Sequence, residues 1–496
     1  MTALGNPDMI HAYPKIGVRS ILNRRLRNAW GLVFTVSLLG LVLQIACSQS
    51  NGERSNVAAS SPISQTAYTK NLQFDLSNYA SVLNANLTIS NQGADPVMLP
   101  AVFAQGDSAP NLLSILGKIR ASGPLTGEQF AMATWQYASQ NIFHYCYAGA
   151  PGDPSDFATE PMRLMHGFGF TCCDQSSRIL NWLWQEGGYP SRIATMSFHV
   201  VPEIYYANAW HLYDADHRVY YMAQDNKTVA SVAEVISDPT LVARTANAQG
   251  NDPAGFPAQE MANLYAIATP TYSTVNFGPL ATYTLQPSQS FTFKSENSTT
   301  SIFHGGSDPI PSNNVSSGQM DWALDFSASN WSQLANSSSG VTTISSGGSV
   351  FLTNSSGTPG QVIYSVSSPF PVFNLKVSGM VYLGDKDSVV NAYFSTDGSK
   401  WSGAFAMNGE VGNTTQATVD LTSAASGQYS YFVKLELSGT AANAARIAQV
   451  HLTSQNQVSV IVFPKLIPKA VNHLVYQDWS PATQQHNVSV SVKVVE

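Results

Sequence analysis

Cys172 and Cys173, then His199, then Asp214 and Asp216 fall in that order within residues 167–221 of a 496-residue chain. The stretch reads GFGFTCCDQSSRILNWLWQEGGYPSRIATMSFHVVPEIYYANAWHLYDADHRVYY. These residue types can carry nucleophilic catalysis. A thiolate attacks, an imidazole manages the proton, and a carboxylate orients the imidazole. The leading assignment is Cys173 as nucleophile, His199 as base and Asp214 as orienting acid. Cys172 and Asp216 stand as the alternatives beside them.

Local signals say which elements must position these groups. Asp174, Gln175, Ser176 and Ser177 suit a first helical turn, and Ile179, Leu180, Leu183 and Trp184 recur at helical spacing. Gly187-Gly188 supplies the stop and Pro190 blocks continuation. Cys173 therefore falls at a helix N-terminus, where the dipole and free N–H groups favour a thiolate and can receive an oxyanion. Residues 192–196, 199–206 and 209–213 read as strands, with Ala207-Asn208 as the turn. A two-residue turn sets position 199 opposite 216 and 201 opposite 214, so that His199, Asp214 and Asp216 share one face. A three-residue turn would move both aspartates to the other face. Upstream, residues 111–119 look helical. Residues 126–145 form a longer helix capped by Thr126 with Gln129 three positions on.

These motifs resemble the transglutaminase-like superfamily. The residues that carry the likeness are Cys173-Asp174-Gln175-Ser176-Ser177, the Gly-Tyr-Pro-Ser-Arg after the helix, His199-Val200-Val201, and Trp210-His211-Leu212-Tyr213-Asp214. The resemblance covers roughly residues 126–225. It implies a papain-like fold with a Cys-His-Asp triad, in which Cys173 matches the nucleophile, His199 the base and Asp214 the acid. Thr171 stands where members often have Gly, and Ala215 where many have Pro. These departures leave Cys172 against Cys173, and Asp214 against Asp216, open.

Charged residues make up 11% of the chain, far below the usual quarter, while hydrophobic residues reach 44%. That balance suits an exported protein, and a net charge of −7 argues against a nucleic-acid partner. Arg19, Arg24, Arg25 and Arg27 precede an uncharged apolar run over residues 31–46, too short for a comfortable membrane span. The run ends Leu43-Gln44-Ile45-Ala46-Cys47, which resembles a bacterial lipoprotein signal. Residues 1–47 are thus expected to target the chain to the cell envelope, lipid-anchored at Cys47 or simply cleaved. A flexible tether over 48–70 follows, then a small β segment over 71–110 and the catalytic core over 111–270. A strand pair at 283–294 and a polar linker fill 271–319. From Met320 onward short β runs recur about every eight to twelve residues, which signals a β-sandwich over 320–496 that folds by itself. Residues 395–401 resemble a turn found in exported jelly-roll and galactose-binding-like modules, where it is structural. The expected class is α+β, a papain-like core with a Cys-bearing helix on an antiparallel sheet, followed by the all-β sandwich.

Cys146 and Cys172 are read as reduced, buried thiols. The alternative is a Cys146–Cys172 bridge that leaves Cys173 free. A zinc site from Cys172, Cys173, His199 and His211 is disfavoured, because adjacent cysteines lack the spacing of zinc-binding pairs. No metal or cofactor is expected. His166 and His211 are read as packing residues and Gln136 as surface. The expected function is cysteine-dependent acyl transfer on an amide or peptide bond, with hydrolysis favoured over transamidation and a cell-envelope peptide or glycan-linked amide as substrate. The alternative is an inactive transglutaminase-like scaffold whose sandwich binds a carbohydrate or another surface partner.

Overall fold

The computed structural model describes residues 67–146, 148–151, 153, 157–245, 258–266, 269–297, 303 and 315–495. The expected targeting segment, most of the tether and much of the linker lie outside them. No helix among the described residues is long and apolar enough to cross a membrane.

Two helices form the middle of the site-bearing half. Gly127–Asn141 starts with the expected capping box, Gln129 N–H donating to Thr126 Oγ1 at 3.2 Å and Thr126 N–H to Gln129 Oε1 at 3.0 Å. Cys173–Glu186 buries Ile179, Leu180, Leu183 and Trp184 and stops at Gly187. Gly188 follows at φ 89°, which glycine adopts at little cost, and Tyr189 N–H closes the turn on Trp184 O. Trp184 Nε1 donates to Thr134 Oγ1 at 2.7 Å and ties the two helices together.

The Cys173 helix lies on a four-stranded antiparallel sheet in the order Thr271–Ser273, Ser191–Thr195, Val200–Tyr206, Ala209–Leu212. Side-chain alternation splits this sheet between two cores. Ile204 joins the helix-side cluster, while Val201 and Leu212 pack into a second cluster with Val232, Met261 and Tyr265. That second cluster is roofed by the helices Val232–Ser237, Thr240–Thr245 and Ala258–Ala266. The site-bearing half thus extends beyond residue 270, to the strand Thr271–Ser273.

The remainder is a β-sandwich. One sheet has nine strands around the long strand Ala445–Ser459, and the other orders Ser337–Ser339, Gly360–Ser367, Ser430–Ser438, Val389–Ser395 and Phe405–Ala406. Several expected boundaries shift. Met320 lies inside the strand Val315–Leu324, paired with Phe291 on one edge and Ser454 on the other. The expected strand pair at 283–294 does not pair with itself. Thr284–Leu285 pairs with Val97–Met98, and Gln289–Asn297 sits between Val315–Leu324 and Ala85–Asn91. Residues 68–70, expected in the tether, open the strand Tyr68–Asp75, which pairs with Val471–Asp478. The long strand Ala445–Ser459 runs straight into a short 3-10 turn, Val460–Val462. The motif at 395–401 is a turn held by its own side chains. Asp397 Oδ1 accepts from Ser399 and Lys400 N–H, and Ser395 Oγ from Asp397 and Gly398 N–H.

The segment leading into Cys173 is seated on the sandwich. Buried Asp153 accepts from Arg163 Nη1 at 3.0 Å and from Tyr429 OH at 2.7 Å, and the Arg163 guanidinium lies 4.0 Å over the Tyr429 ring. Gln457 Nε2 donates to Gly167 O at 3.2 Å. A Cβ at Gly167 would stand 3.0 Å from Pro369 O, so any other residue here would crowd that carbonyl and push the two backbones apart.

Residues 320–496 expressed alone would lack the neighbours at 85–91 and 289–297 and the first five residues of Val315–Leu324. We expect a broad, weakly cooperative melt by circular dichroism where the whole chain melts sharply. A sharp melt of the fragment would instead restore the autonomous sandwich expected from the sequence.

Candidate active site

A short parallel pair, Phe143–His144 with Phe170–Thr171, brings two distant stretches together, and Tyr145 N–H extends it to Thr171 O at 2.9 Å. One residue further along each stretch, Cys146 and Cys172 form a disulfide with Cα atoms 4.3 Å apart. The bridge replaces the reading of two buried thiols, because the strand pairing brings the two backbones within bonding distance. Cys173 is the free cysteine among the described residues and is half-buried. It is the first residue of its helix, and Gln175 steadies that end. The Gln175 amide accepts from Cys172 N–H at 3.3 Å and donates to Ala148 O at 2.7 Å and Ala158 O at 2.8 Å. Ser177 Oγ lies 2.6 Å from Cys173 O and 3.0 Å from Val200 O, which joins the helix to the neighbouring strand.

His199 immediately precedes the strand Val200–Tyr206. Its Nε2 is 2.7 Å from Asp214 Oδ2, and the Cys173 thiol is close enough to its ring to favour the charged imidazole. With Nε2 on Asp214, the nitrogen left for the thiol is Nδ1. The hairpin has the two-residue turn, with Tyr206 paired to Ala209 and with Ala207 and Asn208 at φ 48° and 63°. Past the hairpin, Asp214 is fixed on three sides. His217 N–H donates to its Oδ1 at 3.0 Å, Trp135 Nε1 to its carbonyl at 2.9 Å, and its backbone bridges to Val219. Asp216 turns elsewhere, its Oδ1 lying 2.8 Å from His144 Nδ1. The carboxylate on His199 is therefore that of Asp214.

Burial disfavours charge on His199, but the Asp214 carboxylate and then Cys173 outweigh it and hold the imidazole pKa well above its ordinary value. For Asp214, burial likewise opposes ionisation, and the attraction of His199 with its hydrogen bond overcomes this, so its pKa falls below the ordinary carboxylate range.

The other singled-out residues lie apart from this geometry. His211 places Nδ1 2.6 Å from Val229 O and Nε2 3.2 Å from Tyr206 O. With Cys172 in the disulfide, the zinc set of Cys172, Cys173, His199 and His211 is not assembled. His166 is buried against Phe370 and bonded to Pro110 O, and its pKa is pushed down to about 4 by burial. Gln136 is exposed. Two residues near the thiol escaped the sequence reading. His144 stands two positions before a bridged cysteine, and the ring of His217 meets that of His199 edge-on at 4.7 Å between centroids. The only signals for them were proximity in sequence to Cys146 and to Asp216. A cavity of about 650 Å³ includes Leu113, Lys118, Arg120, Glu186 and Trp479 in its lining and none of Cys173, His199 and Asp214.

No family model and no curated protein matches the chain. Among solved structures it is similar to TmCBM61 in complex with β-1,4-galactotriose, at 11% identity and a TM-score of 0.18 over 23% of this chain and 81% of that one. It is also similar to the C-terminal CBM6 of LamC, a laminarinase from Zobellia galactanivorans, at 13% identity and a TM-score of 0.19 over 27% of this chain and 98% of that one. The xylan-binding module CBM15 matches at 12% identity and a TM-score of 0.20 over 27% and 95%.

Asp214→Asn should destabilise the fold by about 3–5 kcal/mol, the usual cost of removing one partner from a buried ion pair. The pH dependence of stability tests the origin of that loss. Asp214 stabilises fully above its unfolded value near 3.8, and this contribution is lost as pH falls through its lower folded value. His199 stabilises fully below its unfolded value near 6.5, and this contribution is lost as pH rises through its raised folded value. Urea unfolding across a pH series should show both slopes in the wild type and neither slope from this pair in the variant.

Proposed function

We propose that this chain is an exported cysteine acyl-transfer enzyme with a transglutaminase-like, papain-like core, acting on an amide or peptide bond by hydrolysis. The observation that carries this reading is the single imidazole of His199 between the Cys173 thiol and the Asp214 carboxylate at 2.7 Å, beside the first turn of a helix. With Asp214 holding its far nitrogen, the His199 imidazole is placed to take the Cys173 proton and so activate the sulfur. The sulfur attacks the amide carbonyl, and first-turn N–H groups receive the oxyanion. His199 then gives its proton to the leaving amine as the C–N bond breaks, leaving a thioester. Water attacks the thioester with His199 accepting its proton, and the acid leaves as the thiolate is restored. An amine in place of water would give transamidation.

The Cys146–Cys172 disulfide supports an oxidising location, which agrees with the targeting signal expected over residues 1–47 and anchoring at Cys47. In such a location a cell-envelope peptide or a glycan-linked amide is the fitting substrate class.

Cys173→Ala should abolish amide turnover, and His199→Ala should lower it by on the order of 10⁴-fold or more. Asp214→Ala should retain the largest residue of activity among the three, since the orienting group is often the least costly to lose. Unchanged turnover in Cys173→Ala would end the enzyme reading.

A further inference from the structure

His199, Asp216 and His217 are all buried, and one ligand atom from each lies within 4.8 Å of the others. The Asp216 carboxylate is also within 4.8 Å of the Cys173 sulfur. We propose that this cluster binds a zinc-class transition-metal dication. His199, through the nitrogen that Asp214 does not hold, His217 and Asp216 are the ligands, and the Cys173 thiolate completes the set.

The donor set fits that class of ion. Two imidazoles, a carboxylate and a thiolate are what zinc and its neighbours take in four-coordinate sites. Two of the ligands are gripped from behind, as working metal ligands are. Asp214 Oδ2 holds His199 Nε2 at 2.7 Å, and His144 Nδ1 lies 2.8 Å from Asp216 Oδ1, while the backbone N–H of His217 is fixed on Asp214 Oδ1 at 3.0 Å. His217 Nε2 and Asp216 Oδ2 already stand 3.8 Å apart. Donors around a tetrahedral zinc are about 3.3–3.5 Å from one another, from bond lengths near 2.1 Å, so that pair needs little closure and the remaining donors would draw in from within 4.8 Å. The half-buried Cys173 gives the ion a way in. Binding would form metal–nitrogen, metal–oxygen and metal–sulfur bonds and release the thiol proton together with any proton on the imidazoles. The metal would occupy the lone pairs that acyl transfer needs on Cys173 and His199, so metal-bound and turning-over protein would be mutually exclusive. Metal binding itself does not depend on the acyl-transfer reading.

The test titrates the chelator-stripped full chain with Co²⁺ and then Zn²⁺. A saturable visible spectrum of four-coordinate cobalt, a thiolate-to-cobalt band in the near ultraviolet, and displacement by Zn²⁺ are expected. Cys173→Ala should lose the thiolate band while keeping a visible spectrum. His217→Ala should weaken Zn²⁺ binding at least tenfold, and zinc should protect Cys173 of the wild type from iodoacetamide. Circular dichroism would check each variant, with His217→Gln standing in if His217→Ala does not fold. Absence of saturable cobalt binding, or binding unaltered in both His217 and Asp216→Ala variants, would overturn the site. Amide turnover without metal binding would remove the metal site and leave the enzyme reading intact. Tight cobalt binding by a chain that never turns over amides would do the reverse.

Discussion

Asp153 is a buried carboxylate on which both halves of the molecule converge. It accepts from Arg163 and from Ala150 N–H within its own half, and from Tyr429 OH of the sandwich. Losing Tyr429 would leave one carboxylate oxygen with a partner fewer at a depth where water cannot replace it, which favours the seating of the two halves on each other. Burial, and then the charge of Asp153, push the Tyr429 pKa well above its ordinary value, which keeps the hydroxyl a donor. Gln457 and the close approach at Gly167 repeat the contact a few residues nearer the thiol. The position of Cys173 is thus set in part by a β-sandwich that contributes no triad residue.

Around the thiol, restraint comes from several directions at once. The Cys146–Cys172 disulfide and the parallel pair at 143–144 and 170–171 fix the approach to the helix, and the Gln175 amide fixes its first turn. Trp135 and the bridge to Val219 fix Asp214, and Asp214 fixes His199. An imidazole held this firmly between a thiol and a carboxylate has little reorganisation left to undergo during a reaction. The same firmness is what makes the neighbouring Asp216 and His217 credible as ligands.

The features legible in the sequence were those written in local chemistry. Thr126 with Gln129, the Gly187-Gly188 stop and the turn at Ala207-Asn208 each specify their own conformation over a few residues. That is why the placement of Cys173 at a helix start could be reasoned out in advance, whereas the hairpin left Asp214 and Asp216 as alternatives on one face until the bridge from Asp214 to Val219 set them apart. Strand neighbours were not legible. Ala85–Asn91 alternates buried and half-buried along its whole length, which declares its faces but not whether 289–297, 488–494 or another strand lies beside it. The sandwich boundary at Met320 moved for that reason. The disulfide and His144 depended in the same way on a parallel pairing between stretches far apart in sequence.

The strand Ala85–Asn91 is flanked by Gln289–Asn297 and Val488–Val494, and Tyr68–Asp75 pairs with Val471–Asp478. A nascent chain emerges N-terminus first, so these early strands are made long before their partners and wait with bare edges. Tyr429 and Gln457, on which the Cys173 approach is seated, are likewise translated more than two hundred residues after the nucleophile itself. Non-local pairing of this kind folds slowly and leaves partial products prone to edge-to-edge association. The surroundings of Cys173 would thus not be complete until nearly the whole chain had been made, and a prematurely terminated product would carry bare strand edges and an unseated thiol.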